Sequence, residues 1–196
     1  AGWRDGKKVD PIVSLVFNST KPTKDTPSLL TWDDTETLFH EFGHALHFML
    51  SDGKYTRTAG VVPQDYVEMP SQFMENYASE PEVLKIYAKH YKTGEVIPDV
   101  LIEKIQKSGQ FNQGFMVTEI LAASILDMDY HELTEPNFKD VDAFEKAAMD
   151  KIGLISEILP RYRSTYFSHI WDGGYAAGYY VYTWAEVLDV DAFDAF

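Results

Sequence analysis

At 196 residues, 45% of them hydrophobic and 14% aromatic, the chain is one domain's worth of protein and can bury a sizeable core. Its 31 acidic and 17 basic residues give a formal net charge of −14 with no basic stripe, which argues against nucleic acid as a partner. With no cysteine, disulfides and thiolate metal sites are excluded while the compartment stays open, and no apolar run approaches the ~20 residues of a membrane span.

Residues 12–18, rich in β-branched and aromatic side chains, are expected to form a strand. A loop over 21–28 leads into a predicted helix from about 34 to 51. Asp33 and Glu36 make a capping pair at its start, and Gly53, suited to a left-handed C′ position, follows its end. Leu38, Phe39, Phe42, Leu46, Met49 and Leu50 form a wide apolar stripe, so this helix is expected to be largely buried. After a loop over 53–63, helices are expected at roughly 66–79, 80–93, 98–108 and 113–129. Ser79 and Glu82 read as a capping box for the second of these and Gly94 as its stop. The 113–129 segment is apolar on most faces (Phe115, Met116, Ile120, Leu121, Ile125, Leu126, Met128) and is expected to be central. A helix over about 140–151, a break at Gly153 before residues 154–159, and a short helix between Pro160 and Tyr166 complete the pattern. The expected fold is mainly α with a small β element, as a single domain over residues 1–196.

The predicted 34–51 helix carries His40-Glu41-Phe42-Gly43-His44. Positions i and i+4 lie above one another on one helical face, so two imidazoles there can reach a single metal ion, and neutral imidazole is a preferred zinc donor. Glu41 projects from a neighbouring position, where it can face a metal-bound water without ligating the metal, the arrangement of a zinc peptidase. Buried histidines and a glutamate need such partners. Gly43, unfavourable in mid-helix by about 1 kcal/mol against alanine, makes sense if another backbone passes close by. His47 and Leu50 stand where a metzincin would have Gly and His, so the third ligand is expected to be a carboxylate from a second helix. Glu68, Glu75 and Glu80 are candidates. Glu68 is favoured, because it lies 24 residues past His44, room for a loop and the start of a new helix. Glu75 and Glu36 could each accept from a ligand imidazole N–H.

These residues carry a family resemblance. The stretch from His40 to His47 and Tyr66-Val67-Glu68-Met69-Pro70-Ser71-Gln72 resemble the active-site helices of the thimet oligopeptidase and dipeptidyl carboxypeptidase family. The segment Phe167-Ser168-His169-Ile170-Trp171-Asp172-Gly173-Gly174-Tyr175, continuing through Gly178 to Tyr182, resembles that family's Gly/Tyr-rich loop, in wording closer to the bacterial dipeptidyl carboxypeptidases. Residues 11–18 also resemble the family, so the likeness runs along nearly the whole chain, although Gln64 stands where the family more often has Arg.

The resemblance implies a zincin-like catalytic domain of the neurolysin type, incomplete because family members are several times longer. An additional N-terminal helical region that walls off a channel over the zinc site is then expected to be missing. Beginning Ala1-Gly2-Trp3 without an initiator Met, the chain is expected to be a piece of such a catalytic region. His40, His44 and Glu68 are expected to hold Zn²⁺, with Glu41 as general base. Tyr175 and Tyr182 are expected to donate to the developing oxyanion, with His169 and Tyr179 as substrate or transition-state contacts. Gly173, Gly174 and Gly178 would let that loop bend as substrate binds. The expected substrates are short peptides, lying along the edge of the 12–18 strand. If C-terminal dipeptides are released, Arg161 or Arg163 could hold the free carboxylate.

Overall fold

The computed structural model describes residues 2–55, 57–135 and 140–196. Helices α1 (Trp32–Leu50), α2 (Met69–Ser79), α3 (Pro81–Tyr87), α4 (Asp99–Ser108), α5 (Gln113–His131), α6 (Val141–Lys151), α7 (Ser168–Trp171) and α8 (Val181–Phe193) dominate it. Among the described residues the strands form one antiparallel hairpin, β1 (Gly2–Arg4) and β2 (Lys7–Val9), with Gly2 opposite Val9. Asp5 and Gly6, at φ +51° and +74°, form its two-residue turn, the backbone that an Asp-Gly pair favours.

The β element is therefore not where residues 12–18 predicted it. That segment pairs with no strand among the described residues, yet its side chains alternate as in a strand. Val13, Leu15 and Phe17 are partly covered, whereas Ile12 and Val16 are 96% and 89% exposed. Alternation alone reads out an extended backbone; a ladder also needs a neighbour.

Two compact units divide the chain, one of residues 1–108 with 185–196 and one of residues 109–184. In the first, α1 packs along α2. A capping box starts α1, with the Asp34 N–H donating to Thr31 Oγ1 at 3.1 Å and the Thr31 N–H to Asp34 Oδ2 at 2.9 Å, in place of the Asp33/Glu36 pair. The helix ends on an extended Ser51, and Gly53 is not left-handed. Helix α1 is less buried than its stripe suggested. Its fully buried residues are Gly43 and Ala45, while Leu38, Phe42, Met49 and Leu50 are exposed. Close approach by α2 selects the small residues and leaves the bulky ones beside the contact. The 80–93 segment is helical only over α3. No side-chain cap starts it, and Gly94, at φ +74°, instead lies in the turn between the bridged Lys89 and Val96. The last turns of α8 return to α2, where Phe193 meets Tyr77 at 5.1 Å and Phe73 at 5.7 Å.

In the second unit, Ala122, Ala123, Leu126 and Tyr130 of α5 build a core with Ala148, Met149, Phe167, Ile170 and Tyr179. Helix α5 is central to its unit as expected, but through this narrower face; Phe115, Met116, Leu121 and Ile125 are exposed. Residues 154–159 are irregular around one turn at Ser156 and Glu157, and the helix expected before Tyr166 is a single 3-10 turn over Ser164–Tyr166. The C-terminal end of α8 belongs to the first unit from Ala185 onward.

Candidate metal centre and tyrosine cluster

One turn apart on α1, His40 and His44 bring their rings to 5.0 Å between centroids, nearly perpendicular. The loop after α1 closes with a 3-10 turn over Gln64–Tyr66, and Glu68 occupies the N-cap position of α2. Glu68 does not cap that helix with its side chain. Its carboxylate turns to α1, with Oε2 at 3.2 Å from His40 Nε2 and 3.1 Å from His44 Nε2. Pro70, early in α2, needs no N–H partner there.

Gly43 makes this approach possible. A Cβ at that position would meet the Pro70 carbonyl oxygen at 2.4 Å and Ser71 Cα at 2.6 Å. Glycine thus lets the first turn of α2 rest on α1 and carries Glu68 to the two imidazoles. Ser71, fully buried, donates its hydroxyl to the Glu68 carbonyl at 2.8 Å and to Glu68 Oε2 at 2.9 Å, fixing the carboxylate.

Behind the first histidine, Glu75 Oε1 lies 2.5 Å from His40 Nδ1. With Nδ1–H donating to Glu75, Nε2 of the neutral ring would be left to bind a metal ion, the tautomer such a ligand needs. Burial opposes protonation of His40, but the hydrogen bonds to Glu68 and Glu75 outweigh it and raise its pKa to about 9. Glu36 lies further out. Burial raises its pKa, against the hydrogen bond to Trp32 and with the Glu75 charge adding to the rise.

The donor atoms of His40, His44 and Glu68 lie within 4.8 Å of one another. Two donors at tetrahedral positions about 2.0–2.1 Å from one ion would be about 3.3 Å apart, close to the separations from Glu68. Two imidazoles and a carboxylate that is 1% exposed thus form a group that fits a divalent metal ion. Glu41 is half-buried beside it in sequence, and among the described residues nothing engages its carboxylate.

The second unit gathers the other expected residues. His169 stands on α7, Tyr175 and Tyr179 on the loop that follows, and Tyr182 at the start of α8. The His169 ring lies 5.8 Å from Tyr175, 5.4 Å from Tyr179 and 6.2 Å from Tyr182. Tyr175 and Tyr182 stack at 5.7 Å with 12° between their planes. Gly173, where a Cβ would meet His169 Cα at 2.8 Å, lets the loop fold back over α7, and Gly174 follows at φ +85°. Tyr175, Tyr182 and His169 are half-buried, whereas Tyr179 is in the core, and burial pushes its pKa far up.

The two arginines differ. Arg163 pairs through Nε with Glu145, whose other oxygen accepts from the Ser164 N–H at 2.7 Å and hydroxyl at 2.8 Å. Arg161, more exposed, lies 3.6 Å from Glu119. The sequence reading passed over Ser71, Tyr162 and Asp127. Tyr162 packs 4.7 Å from the His169 ring. Asp127, fully buried on α5, accepts from the backbone of the tyrosine loop. A lone carboxylate inside the apolar run from Ile120 to Met128 was its available signal.

Known proteins resemble the chain along nearly its whole length. Residues 3–196 match the model of Peptidase family M3. The chain is 44% identical over 192 residues to the dipeptidyl carboxypeptidase of Escherichia coli, covering 96% of this chain and 28% of that protein. It is 40% identical to organellar oligopeptidase A of Arabidopsis thaliana over 95% of this chain and 24% of the relative. With oligopeptidase A of Escherichia coli the identity is 39%, over 98% and 29% respectively. The chain thus spans under a third of the length of these relatives.

Proposed function

Because the chain belongs to peptidase family M3, we propose that it is the zinc-binding portion of a metallopeptidase that hydrolyses short peptides and releases C-terminal dipeptides. The observation that carries the reading is the Glu68 carboxylate, buried between the Nε2 atoms of His40 and His44 at 3.2 and 3.1 Å. His40, His44 and Glu68 would hold Zn²⁺. When bound, the ion supplies Lewis-acid polarisation of the scissile carbonyl and makes a water easier to deprotonate. Glu41, with its carboxylate uncommitted, takes that proton and later delivers it to the leaving amine. Tyr182 and Tyr175 donate hydrogen bonds to the oxygen on which negative charge develops, and His169 contacts the same group. Tyr179, 3% exposed, supports these rings from the core rather than meeting substrate through much of its surface.

An extended peptide would lie along the backbone of residues 12–18, which pairs with no strand among the described residues, so that strand addition aligns substrate without reading its sequence. Arg161 is the better holder of a free substrate carboxylate, since Arg163 is engaged by buried Glu145. Dipeptide release is preferred to internal cleavage because the dipeptidyl carboxypeptidase is the more similar relative, at 44% against 39–40% for the oligopeptidases. The partner of this portion is the rest of a longer chain. The exposed Leu38, Phe42 and Leu50 of α1 and Phe115 and Met116 of α5 support that, as apolar surface needing cover.

Mass spectrometry of peptide digests separates the two cleavage modes. Ladders shortened by two residues from the C-terminus are expected, and internal cuts alone would favour the oligopeptidase reading. Glu41→Gln is expected to abolish turnover while zinc stays bound. Turnover near wild type would remove Glu41 as the base.

A further inference from the structure

Between Tyr175 and Tyr182 the backbone has little regular structure of its own. Tyr175 donates its N–H to the His169 carbonyl at 2.9 Å, Gly178 to Tyr175 at 2.8 Å and Val181 to Gly178 at 3.1 Å. The amides of Ala177 and Tyr179 are served differently. Ala177 N–H donates to Asp127 Oδ1 and Tyr179 N–H to Asp127 Oδ2, both at 2.9 Å. Ala177 is left-handed at φ +51°, a conformation an alanine adopts only when its surroundings hold it there. The carboxylate that holds it has no solvent exposure, and His131, one turn along α5, brings Nδ1 to 2.9 Å from Asp127 Oδ1 and 2.8 Å from the Asp127 carbonyl.

A buried carboxylate that accepts from the amides of Ala177 and Tyr179, on either side of Gly178, acts as a template for the turn between them. The same turn sets how the chain returns from Tyr175 to Tyr182, whose rings stack seven residues apart in sequence. We propose that Asp127, supported by His131, is a positioning residue: its carboxylate clamps the 177–179 turn and thereby fixes the Tyr175–Tyr182 pair in the arrangement that serves catalysis. The inference rests on the proposed role of those tyrosines as hydrogen-bond donors in peptide hydrolysis.

Asp127→Asn keeps the side chain's shape but sets an amide NH₂ against one of the two loop N–H groups. In the zinc-loaded full chain, hydrogen exchange at the Ala177 and Tyr179 amides should rise about 10-fold or more over wild type, with Ala148 and Met149 on α6 unchanged. Turnover should fall about 10-fold with KM within about twofold, as for a group acting on transition-state geometry. Wild-type exchange at 177 and 179, or a uniform rise across α5 and α6, would overturn the clamp. If Asp127→Asn does not fold, His131→Ala should give the same local pattern at smaller amplitude, and its absence counts against the proposal. Tyr182→Phe separates this inference from the reading beneath it. Wild-type turnover in Tyr182→Phe removes the donor role of the tyrosines, while loop exchange still decides the clamp. Faster loop exchange with unchanged turnover, where Tyr182→Phe is impaired, overturns the positioning role.

Discussion

The metal-donor group and the tyrosine cluster are held by opposite means. His40 and His44 stand one turn apart on a 19-residue helix, and Glu68 is delivered by the start of a second helix resting on Gly43. His169 and Tyr175 stand on a four-residue helix and a loop containing left-handed Gly174 and Ala177, held from a distant helix by Asp127. Regular helices set donor spacing through their own period, so the first group is determined locally, once the two helices are allowed to touch. A loop has no period, and its geometry depends on contacts about 50 residues away in sequence. The metal donors should therefore resist loop perturbation, and the tyrosines should be adjustable without loss of metal.

Tyr182→Phe should test that separation with the largest effect. Turnover is expected to fall about 10²–10³-fold, the cost of removing one preorganised donor, with zinc affinity unchanged. Steady-state kinetics beside a zinc titration check both halves, and parallel losses would mean the regions are not separable. Gly43→Ala acts on the other side. A methyl group 2.4 Å from a backbone oxygen forces the helices apart, at about 3 kcal/mol of stability, together with weakened metal binding. Denaturant unfolding measures this, and stability equal to wild type would mean the helix contact is not tight.

A smaller effect is expected behind the first ligand. Glu75→Gln weakens the hold on the His40 Nδ1–H and should lower zinc affinity about 10–100-fold without dissolving the helix pair. The least effect belongs to Asp189, buried on α8, whose Oδ1 accepts from Asn76 Nδ2 at 3.1 Å. Burial raises its pKa from 3.8 to about 6, the Asn76 hydrogen bond opposes the rise, and the charges of Glu75 and Glu186 add to it. Because the folded pKa is raised, the protonated form favours folding. That contribution is fully present below about pH 4 and is lost as pH rises through about 6. Asp189→Asn should therefore melt a few degrees above wild type at pH 8, at about 2–4 °C per kcal/mol, with the gap closing toward pH 4. A melting difference independent of pH would contradict the ionisation account.

The same contrast explains what the sequence made legible. His40, Glu41 and His44 follow from helical period, Gly43 from its cost in mid-helix, and Glu68 from a spacing that leaves room for one loop. Glu75 could be named because it stands seven residues beyond Glu68, on a similar face of the helix that follows. The unread parts depend on partners. Residues 12–18 alternate as a strand, but nothing in their own pattern says whether a neighbour is present to pair with them. The Asp5-Gly6 turn did carry a hairpin signal. The apolar stripes of α1 and α5 marked surfaces that pack somewhere, yet on α1 the buried residues are the small Gly43 and Ala45, and on α5 Ala122 and Ala123 are buried beside Leu126 and Tyr130 while Leu121 and Ile125 stay exposed. Asp127 was visible only as a charge in an apolar run, and its role depends on a loop about 50 residues away.

The central claim is that His40, His44 and Glu68 form one zinc site, and a calorimetric zinc titration of the wild-type chain beside Glu68→Ala tests it most directly. The wild type is predicted to bind one equivalent and Glu68→Ala to bind about 100-fold more weakly or not at all. One equivalent bound at wild-type affinity by Glu68→Ala would contradict the assignment.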